Sequence, residues 1–336
     1  FTMLSRVMGL LRDVVIANFI GASASADAFI VAFKIPNFLR RLFAEGAFAQ
    51  AFVPVLSEYR TTKDRAAIKS LVDHVAGTLG VALTLLTALA IVGAPIITMV
   101  FAPGFNQYPE KLALASDMLR ITFPYLLLIS LTAFAGSILN SYGRFAVPAF
   151  TPVLLNLALI SCAILLAPLL ERPVLALAWG VLLAGGIQLV FQLPFLARLH
   201  LLPVPRVSRS HPGVRQIGKL MLPALFGVSV SQINLLLDTV LASFLQTGSV
   251  SWLYFSDRLV ELPLGVIGIA IATVILPSLS RQYAQQSAQA YRATLDWALR
   301  FVVLIGLPAA LALYLLAEPL LITLFQYGAM GARDAQ

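Results

Sequence analysis

Long apolar stretches separated by short polar segments dominate this chain. The stretches predict helices over residues of about 4–21, 27–59, 70–102, 112–141, 146–169, 173–197, 214–245, 249–282 and 290–327. A helix crosses the hydrocarbon core of a bilayer in about 20 residues, and these segments have that length. The pattern therefore predicts an all-α polytopic membrane protein with nine transmembrane helices.

The polar segments alternate in charge. GASASAD, ERP and QTGSVS hold few or no lysines and arginines, whereas the links after residues 59, 141, 197 and 282 are basic. The positive-inside rule places the basic links in the cytoplasm, which predicts a multi-pass protein with a cytoplasmic amino terminus. The most basic link, around residues 198–219, divides the predicted domains. These are an N-lobe over 1–205 with helices one to six, and the first half of a C-lobe over 206–336.

Composition supports a membrane protein and weakens other classes. The chain is 60% hydrophobic and 11% charged, with a mean hydropathy of +0.90, which lies outside the range of soluble domains. The net charge of +8 comes from loops, so we expect no nucleic-acid partner. One cysteine and three scattered histidines predict neither a disulfide framework nor a metal site. Phe1 already lies within a helical pattern, which predicts that the sequence is part of a longer protein.

The second predicted helix carries charges inside an apolar span. They are Asp27, Lys34, Arg40, Arg41 and Glu45. Each costs about 3 kcal/mol near the bilayer centre, so such residues suggest function. At about 100° per residue all of them except Arg40 share one face, and a kink at Pro36 could shift that phase. The alternative is structural ion pairing, Arg41 with Glu45 and Lys34 with Asp27.

Other predicted helices add charges of the same kind. They are Arg6, Arg12 and Asp13 on the first helix, Asp238 on the seventh, and Asp257, Arg258 and Glu261 on the eighth. The cations outnumber the acids, and guanidinium groups bind phosphate in a bidentate fork. We therefore expect an anionic cargo that contains phosphate.

An internal repeat points to a transporter. VPVLSEY at 53–59 resembles LPSLSRQY at 276–283, and the same shift of 223 or 224 residues pairs Lys34 with Arg258 and Asp73 with Asp296. Six predicted helices fill one period. An even number gives the two copies the same orientation about an axis along the membrane normal, the arrangement of two-lobed alternating-access carriers.

Three long motifs carry a family resemblance. SRVMGLLRD at 5–13, the segment from DAFIVAFKIP to PVLSEY at 27–59, and LYFSDRLVELPLGV at 253–266 resemble the signature helices of the MurJ (MviN) lipid II flippases. This family belongs to the superfamily of multidrug, oligosaccharidyl-lipid and polysaccharide (MOP) exporters, which has a MATE-like fold. The resemblance covers the whole chain. It implies two parallel-repeat lobes, with nine of fourteen expected helices present.

The resemblance also implies a function. It implies transfer of lipid II, an undecaprenyl-diphosphate disaccharide pentapeptide, across the bacterial cytoplasmic (inner) membrane by a monomeric transporter that contacts membrane lipid and is not an enzyme. The essential cavity arginines of the family fall on Arg6, Arg12, Arg40 and Arg258. The supporting positions are Asp13, Asp27, Lys34, Arg41, Glu45, Asp257 and Glu261.

The remaining expectations concern coupling and rival functions. The resemblance implies no cofactor, and it leaves Na⁺ as a possible coupling ion with Asp238 as a ligand. The alternatives are another MOP exporter of a polyprenyl-linked glycan or drug, a membrane enzyme acting on the same lipid, and a scaffold for wall synthesis.

Overall fold

The computed structural model describes residues 2–208, 210–263, 269–285, 287–331 and 334. Its α-helices are α1 Thr2–Ile20, α2 Ala24–Leu39, α3 Ala49–Thr62, α4 Arg65–Val92, α5 Ala94–Phe101, α6 Pro109–Thr122, α7 Tyr125–Ser141, α8 Ala146–Ser161, α9 Leu175–Arg198, α10 Pro212–Ser243, α11 Ser249–Pro263, α12 Ile269–Ala284 and α13 Ala288–Phe325. The described residues also form two π-helices, Arg40–Phe48 and Cys162–Leu166. They form two 3₁₀ helices, Pro103–Gln107 and Ala167–Leu169, as well. Every predicted helical segment coincides with helix in the described part of the chain, which confirms the all-α fold class.

Several predicted helices are broken at identifiable residues. Gly93 separates α4 from α5, and Phe123 with Pro124 separates α6 from α7. Within the described residues, five helical spans are long and apolar enough to cross a membrane, and α10, bent by 52°, would be a sixth. Helix α1, which carries three charged residues, and helix α2, which has 16 residues, are not among these spans.

Helix α2 continues into the π-helix at Arg40–Phe48 and then into α3. Pro36 removes the backbone N–H that would bond the Ala32 carbonyl, and the buried hydroxyl of Thr122 donates to that carbonyl instead, at 2.9 Å. The backbone N–H of Arg40 bonds to the carbonyls of Asn37 and Pro36 as the helix widens. A steady rotation of 100° per residue therefore fails from Arg40 onward.

The apolar core of the first part of the chain lies between α3, α4, α7 and α9. Phe48 and Phe52 stack at 5.3 Å between ring centroids, and both meet the edge of Phe134 at 5.1–6.0 Å. Leu71 and Leu196 are fully buried in the same cluster. This core fixes α3, which carries the π-helix, against the rest of the bundle.

Three of the four predicted basic links, those after residues 59, 141 and 197, meet at one end of this bundle. Arg60 donates to the carbonyl of Ser141 at the end of α7 and lies 4.2 Å from the Tyr142 ring centroid. Arg65 donates to the carbonyl of Leu199 after α9, at 3.0 Å. Arginines thus bond the free carbonyls at two helix carboxyl ends, which stabilises this end of the bundle.

The chain divides into two compact units, Phe1–Ser251 and Trp252–Gln336. The predicted lobe boundary at residue 205/206 stays a prediction. The helix boundaries nevertheless repeat with the expected period: α11 begins at Ser249, 225 residues after α2 begins at Ala24, and α13 begins 223 residues after α4. The repeat inferred from short motifs is therefore matched by the spacing of the helices.

Candidate functional site

Asp27 lies in the first turn of α2, where its carboxylate joins three parts of the first unit. Its side chain is fully buried. Oδ2 accepts from Lys111 Nζ at 2.6 Å and from the backbone N–H of Gly248 at 2.8 Å. Oδ1 accepts from the backbone N–H and the hydroxyl of Ser251, at 2.9 and 2.7 Å. These bonds fasten α2 and α6 to the start of α11.

This arrangement corrects one expectation for Asp27, the alternative ion pair with Lys34. The sequence placed it among cavity residues, or in an ion pair with Lys34. All side-chain hydrogen bonds of Asp27 in the described part of the chain go instead to Lys111, Gly248 and Ser251, and no solvent reaches that side chain. The Asp27 side chain is therefore fully engaged in this structure, and its role toward cargo stays a prediction. Lys111, which completes the pair, was not predicted, because it falls at the edge of an apolar span and no motif marks it.

A second contact lies at the same end of the bundle. The backbone N–H of Gly104 donates to the hydroxyl of Ser243 at 3.1 Å. The Gly104 backbone lies so close to the Ser243 carbonyl that any side chain would overlap with it. The loop from Ser243 to Ser251 is thus held at both ends, by Gly104 and by Asp27. We call these two contacts the gate contacts.

The gate contacts join the segments predicted to lie outside. Asp27 ends the link GASASAD, and Gly248 and Ser251 belong to QTGSVS. The basic links meet elsewhere, through Arg60 and Arg65. The grouping of the links into two ends thus agrees with the charge alternation, while the side of the membrane that each end faces stays a prediction.

Arg12 and Asp13 are buried on α1. Arg12 is 5% exposed and Asp13 1% exposed. Arg12 donates Nε and Nη2 to Asp13 Oδ1 at 2.9 and 2.7 Å, and Nη1 to Asn156 Oδ1 of α8 at 3.0 Å. Asn156 in turn donates to the Ser5 carbonyl at 3.1 Å. Much of the Arg12 fork is therefore engaged by protein oxygens, which hold the guanidinium in one orientation.

Arg6, two turns earlier on α1, differs from Arg12. It is half-buried and makes no hydrogen bond or ion pair with any residue that the structure describes. A partly desolvated guanidinium with open donors can accept an anionic ligand without first breaking an internal bond. Arg6 is therefore the predicted site residue with the strongest claim to direct cargo contact.

The cations of α1 and α2 fall into two layers. Along each helix from the turn at residues 21–23, Arg12 and Lys34 lie roughly 12 and 15 Å away, and Arg6 and Arg40 roughly 21 and 24 Å. Lys34 is half-buried and donates to the Thr239 hydroxyl of α10 at 3.1 Å, among other contacts. Measured along each helix, the cations thus lie at two successive distances from this turn.

The π-helix that begins at Arg40 changes the directions in which the side chains of Arg40 and Arg41 point. Arg40 is half-buried and donates to Asn37 Oδ1 at 3.2 Å, while Arg41 is exposed. The prediction that Arg41 shares the face of Lys34 and that Arg40 points away therefore rested on the wrong rotation. The side chain of Glu45, and with it the alternative pair with Arg41, lies outside the described residues.

The first turn of α11 lies in the first unit, and the rest of α11, with its predicted charges, lies in the second unit. Arg258 is half-buried, and it donates to Glu261 Oε2 at 2.5 Å and to the Tyr254 hydroxyl at 3.1 Å. Its guanidinium also lies 4.9 Å from the Tyr254 ring centroid. Asp257 and Glu261 are exposed. Convergence of Arg258 with the arginines of α1 and the π-helix stays a prediction.

Comparison with known proteins decides the family. A model of the lipid II flippase MurJ family matches residues 16–336. The chain belongs to the MurJ family. It is 53% identical to a probable lipid II flippase MurJ of Haemophilus influenzae over 99% of this chain and 68% of that protein. It is 46% identical to a lipid II flippase MurJ of Burkholderia cenocepacia over 99% of this chain and 65% of that protein.

Solved structures agree with this MurJ assignment. A lipid II flippase MurJ in an inward-closed conformation matches with a TM-score of 0.84 and 28% identity, over 99% of this chain and 68% of the other. An inward-facing MATE transporter of the MOP superfamily matches with a TM-score of 0.70 and 16% identity, over 99% and 74%. The second match shows the fold alone. The chain spans about two thirds of the length of its MurJ relatives.

The possible sodium ligand of the MurJ family, Asp238, is exposed on α10. No cluster of three His, Cys, Asp or Glu residues suited to a metal ion occurs among the described residues. Sodium binding at Asp238 stays a prediction, and the proposal below uses no metal.

Proposed function

We propose that this chain is the cargo-binding part of a MurJ-type flippase, which moves lipid II from the inner to the outer leaflet. The cargo is a prenyl diphosphate that carries a sugar-peptide headgroup. Membership of the family supports this class of cargo. The observation that carries the proposal from the structure is Arg6, which is half-buried on α1 and has no hydrogen bond or ion pair to any residue that the structure describes.

The two layers of cations give the diphosphate a path. Arg6 and Arg40 form the layer further from the gate contacts, and Arg12 with Lys34 forms the nearer one. Each phosphate can receive a planar fork from an arginine, and Asp13 and Asn156 orient the fork of Arg12. The prenyl chain remains in lipid, so the protein shields only the polar headgroup from hydrocarbon.

The gate contacts supply the barrier at the other end. Opening there requires Ser251 and Gly248 to leave the Asp27 carboxylate and Ser243 to leave Gly104. Binding of an anion to the arginines lowers their mutual repulsion, which favours approach of the helices that carry them. Cargo can shift the conformational equilibrium only through such a difference in affinity between states.

We place the basic end of the bundle, with Arg60 and Arg65, in the cytoplasm. The positive-inside rule supports this orientation, and it gives a cytoplasmic amino terminus and a gate on the outer side. The membrane potential, worth about 2.3 kcal/mol per charge per 100 mV, acts on the same cations and can return the empty carrier.

The test is transfer of a fluorescent short-chain lipid II analogue in vesicles containing the purified chain. We expect Arg6→Ala and Arg40→Ala to reduce the transfer rate by about tenfold or more, because each removes a charge-assisted contact to phosphate. The matched control is Arg120→Ala, whose arginine pairs with Asp117 on the surface of α6. Full transfer by both variants would refute the arginine path. Analysis of the recovered lipid separates transport from catalysis, since an enzyme would return a changed product.

A further inference from the structure

The Asp27–Lys111 ion pair is sealed from solvent. The Lys111 side chain is 6% exposed and that of Asp27 is fully buried. A lysine so deeply buried is costly unless it is paired and hydrogen-bonded. Replacing Lys111 alone would leave the buried Asp27 carboxylate without its counter-ion.

Lys111 is also held on its other sides. Its ammonium lies 4.3 Å from the Phe105 ring centroid and 6.0 Å from that of Tyr108. Aromatic faces attract an ammonium group, more strongly when it is desolvated. Phe105 belongs to the turn whose Gly104 abuts Ser243. The segment from Gly104 to Lys111 thus touches one edge of the Ser243–Ser251 loop directly and reaches the other edge through Asp27.

The division of bonds on the carboxylate shows what Lys111 does. Lys111 Nζ and the Gly248 N–H share Oδ2, which leaves Oδ1 for the N–H and hydroxyl of Ser251. A carboxylate that accepts from backbone N–H groups in the first turn of a helix acts as an N-cap and favours the positive end of the helix dipole. Asp27 therefore caps α11 from another helix, in the orientation that Lys111 imposes.

We propose that Lys111 is the positioning residue of the gate: it orients the Asp27 carboxylate so that the first turn of α11 stays docked. This deepens the proposed function and rests on it for the meaning of opening. Because Lys111 lies on α6, the strength of closure is set by a helix that carries none of the predicted cargo residues. Closure can then be weakened without any change in cargo contacts.

The experiment compares the reactivity of two buried reporters in the purified chain without cargo. Val250→Cys reports the gate, and Ile217→Cys reports the basic end of α10, since both native side chains are at most 5% exposed. Each is introduced with Cys162→Ser and labelled by a hydrophilic maleimide. We expect Lys111→Met to raise the labelling rate of Val250→Cys by about tenfold and to leave that of Ile217→Cys within about twofold. Lys111→Arg should restore slow labelling.

The matched control is Lys69→Met, which removes the lysine of a lysine–aspartate pair on α4 and should leave Val250→Cys labelling unchanged. Unchanged labelling of Val250→Cys in Lys111→Met, or an equal rise at both reporters, would overturn the proposal, the second outcome showing only general loosening. If Lys111→Met does not fold, Phe105→Leu serves as the test. We expect it to raise the labelling rate of Val250→Cys by about threefold and to leave that of Ile217→Cys unchanged. No rise in Val250→Cys labelling would reject the proposal. No cargo is present, so failure of the transfer assay with Arg6→Ala remains a separate result.

Discussion

Asp27 and Ser251 are hydrogen-bonded to each other although 224 residues separate them, and 224 residues is also the period of the internal repeat. A residue can touch its repeat equivalent only near the axis that relates the two copies. Asp27 and Ser251 are thus repeat equivalents with different chemistry, a carboxylate in the first copy and a hydroxyl in the second.

The first prediction ranks the two partners of this bond. Asp27→Ala leaves the Lys111 ammonium buried without its counter-ion, which should cost about 3–5 kcal/mol in the free energy of unfolding. Ser251→Ala removes one hydroxyl bond and keeps the backbone bond, so we expect a cost of about 1 kcal/mol. Denaturant unfolding of the purified variants measures both. Asp117→Ala, which breaks an exposed pair, should change little, and equal effects of Asp27→Ala and Ser251→Ala would contradict the ranking.

The second prediction separates Arg6 from Arg12. Arg12→Ala removes the partner of a buried carboxylate and should destabilise the fold by about 3 kcal/mol. Arg6→Ala removes a half-buried side chain without a described bond and should change stability by about 0.5 kcal/mol or less. Binding of a soluble prenyl diphosphate, measured by calorimetry, should nevertheless weaken in both. Loss of stability in Arg6→Ala comparable to that in Arg12→Ala would show that Arg6 is structural.

The third prediction uses a glycine that only close packing explains. A Cβ at Gly104 would overlap with the carbonyl of Ser243, whereas one at Gly218 of α10 meets no atom within 4 Å. We expect Gly104→Ala to push the Ser243–Ser251 loop away and speed maleimide labelling of Val250→Cys by about tenfold. Gly218→Ala should instead stabilise its helix, by about 0.5–1 kcal/mol. Slow labelling in Gly104→Ala would mean that the turn yields without opening the gate.

The helices and the candidate cations follow from sequence because their signals are local. Apolar length predicts the spans, and charges inside them stand out against a lipid background. The partner of Asp27 does not follow, because Lys111 is 84 residues away and no periodicity links an α2 residue to one on α6. The alternative partner, Lys34, lies two turns along the same helix face, and that pairing is wrong.

The orientation of Arg40 shows a second limit. A helical wheel assumes one rotation per residue, and the change to π-helix at Arg40 alters it. Pro36 indicates a possible change of rotation, since it removes a backbone donor. The sequence does not show that the Thr122 hydroxyl bonds the Ala32 carbonyl and keeps the helix continuous. Local sequence patterns predict the helices and the charges they carry. The orientation of each charged side chain depends on residues that are distant in sequence and contact it in the fold.

Two histidines and a tyrosine stack at the basic end of the bundle. The rings of His74 on α4 and His211 before α10 lie 4.7 Å apart between centroids, and Tyr59 of α3 lies 6.5 Å from His211. His74 Nδ1 bonds to the carbonyl of Ser70 at 2.8 Å, so that nitrogen is the donor. Burial, and then the nearby His74, lower the pKa of His211 below its ordinary value of 6.5.

The last prediction concerns this stack and pH. Because its pKa is lower in the folded state, His211 binds fewer protons there than in the unfolded chain, and its contribution to stability is complete above the ordinary value of 6.5. It is lost as the pH falls from there toward the lowered folded value. We therefore expect the thermal midpoint to fall between about pH 7.5 and about pH 5, and His211→Gln to make that fall smaller. His200→Asn, at an exposed histidine with a positive φ that asparagine tolerates, should leave the slope unchanged, and an equal slope in His211→Gln would contradict the prediction.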